Sequence, residues 1–316
     1  MINSKRLLVD SVRRYCERRH IELLSHSHDW ILQLRTPRCS HLIYGYDLGA
    51  NSATAAKVAN DKSATYDVLA ANGIRAIEHR VFLHPRLLDF VASEGNWRAM
   101  LHAFEAFGRN AVIKDNEGTG GMEVFRVRTV KELEQQVHGL FQIARAIALS
   151  PYRTIEAECR YVMLEGDCLL AYRKQRPAVT GNGEHSVRQL IAAAHVEGRL
   201  GIPLTAIDNP DLLLDRIPPA GERAVLQWRH NLGRGATPVA LDPAGADQAA
   251  AVALARTAMD TLGLKFAAID VATIAGLPEV IEVNSGVMLE VASRTHAAGA
   301  DLADHIYHRV LDGILR

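Results

Sequence analysis

The chain has 316 residues, 48% of them hydrophobic and 23% charged, an ordinary balance for a folded globular protein of about two domains. Its 36 basic and 36 acidic side chains cancel, and no basic tail or face stands out in the order of charges, which argues against a nucleic-acid binder. No apolar run reaches the ~18 residues needed to span a bilayer, the N-terminus lacks the long apolar core of a signal peptide, and Cys16, Cys39, Cys159 and Cys168 show no CxxC pairing, so a cytoplasmic protein with reduced thiols is expected.

Residues 4–19 carry Leu7, Leu8, Val12 and Tyr15 at helical spacing, and the basic stretch from Arg13 to His20 reads as a solvated helix face. IELL and WILQL follow as short strands. Asp61 is expected to cap a helix that runs to Ala71 and stops at Asn72-Gly73. Residues 96–107 read as helix and 110–114 as a buried strand, followed by a loop with three glycines and a second strand over 122–127. Thr129 and Glu132 have capping-box spacing and open a helix expected to reach about Ala148. TIEAE, RYVMLEG and CLLAYRK are strand-like runs, the last two separated by a hairpin-like turn at Gly166-Asp167. GNG at 181–183 is another turn, and Ser186 with Gln189 forms a second capping box for a helix through Ala194. An alanine-rich helix over about 245–262 precedes the strands KFAAIDVATI and PEVIEVN, joined by Ala275-Gly276, and a last helix covers roughly 301–315. Strands and helices mix without strict βαβ alternation, which points to an α+β fold with largely antiparallel sheets.

Two segments carry chemistry. Val112-Ile113-Lys114 leads into Asp115-Asn116-Glu117-Gly118-Thr119-Gly120-Gly121. Glycines let the backbone approach a ligand, successive N–H groups can cradle an anion, and the lysine would add positive charge beside a phosphate. Neither GxxxxGK[ST] nor GxGxxG is satisfied, and the segment alone reads equally well as a glycine-rich hairpin with a surface lysine. Near the C-terminus, Asp270 interrupts an apolar strand. Glu282 and Asn284 point to one side of the next, because alternate strand residues share a face. An unpaired carboxylate among apolar neighbours is costly to bury, and two carboxylates with an amide oxygen suit magnesium. The alternative is a set of strand acids that face solvent or are salt-bridged.

The order of segments adds information. Ala59-Asn60-Asp61-Lys62, Val112–Lys114 with its glycine loop, Ile155-Glu156-Ala157-Glu158, Arg160-Tyr161-Val162 and Ala171–Lys174 follow one another. Then come Ala178-Val-Thr-Gly-Asn-Gly-Glu-His-Ser-Val-Arg-Gln-Leu-Ile191, Arg229-His230-Asn231 through Thr237, Ala268-Ile269-Asp270-Val271 and Ile281-Glu282-Val283-Asn284. In this order they resemble the ATP-grasp superfamily of carboxylate–amine ligases over about residues 40–290, most closely the ATP-grasp region of cyanophycin synthetases and bifunctional glutathione synthetases. The 178–191 segment is the most distinctive match to the cyanophycin-synthetase branch.

The resemblance implies an ATP-grasp fold of two α/β subdomains gripping ATP plus a small N-terminal piece, divided as 1–60, 61–155 and 156–316. It implies ATP and magnesium, with manganese as a substitute. Lys62 and Lys114 would contact phosphates, and Gly118, Gly120 and Gly121 would cover them as a lid. Glu156 and Glu158 fall at the adenine hinge and ribose acid. Asp270, Glu282 and Asn284 would hold the metal. Lys174, Arg229 and Asn231 would face the transferred phosphate or the acyl group, with Arg229 stabilising the charge of the tetrahedral intermediate. The implied reaction passes through an acyl phosphate that an amine attacks. Its partners are a small-molecule carboxylate (an amino acid or small peptide) and an amine, with no nucleic acid and no membrane; a homo-oligomer is left open. Three departures matter. Asp115 replaces the usual proline and puts an acid near the phosphates. Ser285-Gly-Val-Met-Leu289 replaces the common APG. No Mur-ligase-like domain is appended, so cyanophycin synthesis itself is not expected. A catalytically impaired nucleotide-binding protein and a kinase-type enzyme of the same superfamily are the alternatives; the intact acids argue against the first and Asp115 keeps it open.

Overall fold

The computed structural model describes residues 6–91, 96–118, 120–121 and 123–315. Ser4 and Lys5 of the first predicted helix, Thr119 of the glycine loop and Met122 at the start of the predicted 122–127 strand lie outside the described residues. The chain forms two compact units, one of residues 1–172 with 240–316 and one of residues 173–239.

The first unit begins with α1 (Leu7–Arg19), which buries Leu8, Val12 and Tyr15 as its helical spacing requires. The strands β1 (Glu22–His26), β2 (Ile31–Arg35) and β3 (Ser40–Tyr44) form an antiparallel meander. Next come α2 (Ala53–Asn60) and α3 (Lys62–Ala71). Asp61 caps α3 as expected, its carboxylate accepting from the Ala64 N–H. A four-stranded antiparallel sheet is built from β4 (Arg80–Leu83), β5 (Ala111–Asp115), β6 (Val124–Val127) and β7 (Ala146–Pro151) in the order β4-β7-β5-β6. It packs against α4 (Asn96–Ala106) and α5 (Val130–Leu140) through Phe104, Ile113, Leu133 and Ile147. The Thr129–Glu132 capping box is present, but the helix ends at Leu140 rather than near Ala148. Residues 146–151 form a strand instead, because four successive buried residues, Ile147 to Ser150, are filled from both faces of a sheet interior. The expected TIEAE strand also shifts: regular pairing begins only at Ala157.

The second sheet is made of β8 (Ala157–Leu164), β9 (Asp167–Gln175), β12 (Thr237–Leu241), β13 (Phe266–Ile274) and β14 (Leu277–Asn284), ordered β12-β9-β8-β13-β14. Between β9 and β12 the chain makes β10 (Ala178–Thr180), α6 (Val187–Val196) and β11 (Arg223–Val225). α7 (Ala249–Thr261), α8 (Glu290–Thr295) and α9 (Ala300–Ile314) complete the elements used below. One face of β13 and β14 carries Ile269, Val271, Val280 and Val283 into a core with Met259 and Leu69. The opposite face carries Ala268, Asp270 and Ala272, opposed by Asn284, Glu282 and Glu279. α1 is anchored at its start and at its middle. Glu290 Oε1 accepts from the Leu7 N–H at 3.2 Å, and the Arg14 guanidinium forks onto Asp304 of α9 at 2.7 Å through both Nε and Nη2.

The second unit has its own core of Val179, Val187, Ile191, Leu200, Ile202 and Leu226. Its β10–β11 pair is antiparallel, and the Ser186–Gln189 capping box opens α6 as expected. Gly181 is required there, since a Cβ would lie 2.3 Å from the Pro219 carbonyl oxygen.

Candidate functional site

The glycine loop is organised from within. Asp115 Oδ1 accepts from the Glu117 N–H at 3.0 Å, an Asx turn that folds the chain back at the end of β5. Gly118 packs against this carboxylate; a Cβ there would sit 2.9 Å from Asp115 Cβ. Gly120 and Gly121 take left-handed conformations, with φ of +70° and +63°. Asn116 is buried and its side-chain oxygen accepts from the Ser63 N–H at 3.1 Å, joining the loop to the first turn of α3. Lys62 closes the arrangement: its ammonium donates to the Gly118 carbonyl at 2.6 Å and to that of Asn116 at 3.3 Å. The loop thus gathers two of its own carbonyls around the lysine that the resemblance assigns to phosphate.

Lys114 lies on β5 with 7% exposure. Burial pushes its amine down to about 8; Glu282, Glu158 and Asp270 pull it up, and Lys62 pushes it further down. Lys62, Glu158, Asp270 and Glu282 thus all act on Lys114, within the first unit. His79 also sits here, 3% exposed, its Nδ1 donating to the Ile77 carbonyl at 2.8 Å. Burial, with Lys114 and Lys62 beside it, holds this imidazole neutral well below the usual histidine range.

The acids line up across the second sheet. Arg160, Asp270 and Glu282 occupy opposed positions on β8, β13 and β14, so their side chains share one face. Asp270 is fully buried, and both of its oxygens accept from Arg160: Nε to Oδ1 at 2.7 Å and Nη2 to Oδ2 at 2.6 Å. Arg160 Nη2 also stands 4.0 Å from Glu282 Oε1. Burial works against the guanidinium charge, but Asp270, Tyr172 and Glu282 outweigh it and keep Arg160 protonated. Asn284 Nδ2 donates to Glu282 Oε1 at 3.4 Å. A register shift beside Asp270 pairs Val271 with Val280 and leaves Ile281 as the extra residue of a bulge. The structure brings Glu282 and Asn284 together and sets Asp270 beside them in a salt bridge.

The remaining sequence candidates are distributed as follows. Glu158 is on β8 within electrostatic reach of Lys114. Glu156 serves the β13–β14 turn, its Oε2 accepting from the Gly276 N–H at 3.3 Å. Lys174, Arg229 and Asn231 belong to the second unit. There Arg229 pairs with Asp208 and lies over the Trp228 ring, 5.3 Å from its centroid. His230, beside Lys174 and Arg176, is pushed down to about 3 by burial and then by those two charges.

Arg160 and His79 were not identified as site residues from the sequence. Arg160 carried a signal, a cation at the head of the apolar run Tyr161–Leu164; His79 carried none. Among the described residues no cluster of three or more His, Cys, Asp or Glu side chains could hold a metal, and no helix is long and apolar enough to cross a membrane.

No protein-family model matches the sequence, and no curated protein matches it. Solved structures do. A D-alanine–D-alanine ligase from Bacillus anthracis is 14% identical, with a TM-score of 0.53 over 84% of this chain and 69% of that one. A bifunctional glutathione synthetase from Pasteurella multocida is 16% identical, with a TM-score of 0.54 over 96% of this chain and 44% of that one. A D-cycloserine synthetase is 18% identical, with a TM-score of 0.51 over 82% of this chain and 71% of that one. The chain spans less than half the length of the glutathione synthetase that it matches. At these identities the likeness is one of fold, an ATP-grasp ligase-like fold of mixed helices and antiparallel sheets.

Proposed function

We propose that this protein is an ATP- and magnesium-dependent ligase that joins a carboxylate, an amino acid or small peptide, to an amine through an acyl phosphate. The observation that carries the reading is Lys114, buried at the start of the glycine loop, on which Glu282, Lys62, Glu158 and Asp270 all act, with Lys62 itself bonded to the loop. Oppositely charged groups held together and largely out of water suit a polyphosphate and its counter-ion.

Glu282 and Asn284 offer a carboxylate and an amide oxygen and fit one magnesium shared with phosphate oxygens; Asp270 stands beside them with both oxygens engaged by Arg160. The ion would neutralise charge on the transferred phosphoryl group. Lys114 would hold a phosphate oxygen. Lys62 would exchange its two loop carbonyls for another. Glu158 would contact the ribose, and Gly118, Gly120 and Gly121 would cover the phosphates. Lys174, Arg229 and Asn231 are assigned to the acyl group, Arg229 neutralising the charge that develops as the amine attacks. The reading keeps the division at residues 1–60, 61–155 and 156–316 as its working domains.

The test is chemical. With ATP, magnesium and a panel of amino acids and dipeptides as carboxylates, hydroxylamine should trap a hydroxamate with release of ADP. Release of AMP and pyrophosphate would point to an adenylate and reject the acyl phosphate.

A further inference from the structure

Asp270 is the central member of the acidic row and fully buried, yet its charge is already met. Arg160 grips both of its oxygens in a planar fork, the geometry in which guanidinium binds carboxylate most strongly. The same guanidinium leans toward Glu282 at 4.0 Å. The acids Asp270 and Glu282 thus already face cations without any ion: Arg160 holds the first and leans on the second, and both acids act on Lys114. A divalent cation entering alone through Asp270 would have to displace a buried bidentate pair, and one held only by Glu282 and Asn284 would add two positive charges beside Lys114 and Arg160. A cation arriving with a polyphosphate would add no such excess.

We propose, on the assumption that the site is the nucleotide site described above, that Arg160 is a resident cation that reserves Asp270, so that the site takes one divalent ion, through Glu282 and Asn284, and takes it only together with nucleotide. A magnesium site commonly uses one or two carboxylates with substrate phosphates; here the second carboxylate belongs to the protein's own positive charge.

Manganese, counted by the loss of the free-ion electron paramagnetic resonance signal, reads this directly and without turnover. Wild-type protein should bind no manganese by itself and one ion per chain, in excess of the nucleotide-only control, when a non-hydrolysable ATP analogue is bound. Arg160→Gln should expose Asp270 and raise nucleotide-free manganese affinity by at least about tenfold, equivalent to roughly 1.4 kcal/mol. Arg160→Gln with Asp270→Asn should lose that gain. Two ions per bound nucleotide in the wild type, or nucleotide-free manganese binding by the wild type as tight as by Arg160→Gln, overturns the proposal. The wild-type count decides the matter even if Arg160→Gln does not fold. Failure of the analogue to bind rejects the nucleotide reading instead, and the nucleotide-free comparison still judges Arg160.

Discussion

Lys114 joins its environment to a measurable pH dependence. Its amine titrates near 8 rather than 10.5, so its charge is lost as pH rises through about 8. Nucleotide affinity should fall over the same range, and calorimetric titrations from pH 7 to 9.5 would show it. Stability moves the other way. Between about 8 and 10.5 the unfolded chain holds a proton that the folded chain has released, so unfolding free energy should rise with pH by up to ~1.4 kcal/mol per unit. Lys114→Ala should abolish both trends and weaken nucleotide binding roughly tenfold to a hundredfold, the worth of one charge-assisted contact of about 1.5–3 kcal/mol. Glu282 is among the acids that hold Lys114 up. Glu282→Gln should therefore start the loss of affinity at a lower pH, lower turnover far more than nucleotide binding at neutral pH, and change stability by less than about 1 kcal/mol. An unchanged profile and wild-type turnover would remove Glu282 from the site. Lys114, Asp270 and Glu282 were legible in the sequence because each is a charge set in an apolar strand. The Arg160–Asp270 pair was not, since its members are 110 residues apart and only sheet register joins them.

At the scale of elements, the glycine loop gives Asp115 a structural task. Asp115 stood out in the sequence as an acid where a phosphate loop has little use for one. In the structure its carboxylate makes the turn that starts the loop and takes the space that a Cβ at Gly118 would fill. Asp115→Asn keeps an acceptor for the Glu117 N–H and removes the charge, so nucleotide should bind equally or more tightly. Gly118→Ala should force the loop out of place and weaken binding. If Asp115→Asn weakens binding as much as Gly118→Ala, the carboxylate has a role beyond the turn. Capping boxes and turn glycines were readable because they are local. The strand Ala146–Pro151 was not, since an apolar run joined to a helical one gives no change of period until a sheet claims it. The bulge at Ile281 was equally hidden: it lets Val280 and Val283 share the core face, three residues apart, while Glu282 and Asn284 turn to the other.

At the scale of the molecule, sequence periodicity led to mixed helices and antiparallel sheets, and the structure has them. The separate unit of residues 173–239 was not read, because neither composition nor charge changes where it begins or ends. That unit has an architectural consequence. The chain leaves for it from β9 and returns through β12, two strands that are neighbours in one sheet. The larger body is therefore interrupted rather than extended. Replacing residues 177–235 by a short glycine-rich bridge should leave a body that retains Lys62, Lys114, Glu158, Asp270, Glu282 and Asn284 but lacks Arg229 and Asn231. Such a trimmed protein should still take up nucleotide by calorimetry and form no amide, dividing recognition of the energy source from use of it. Loss of both together would mean that the two activities cannot be parted along this seam.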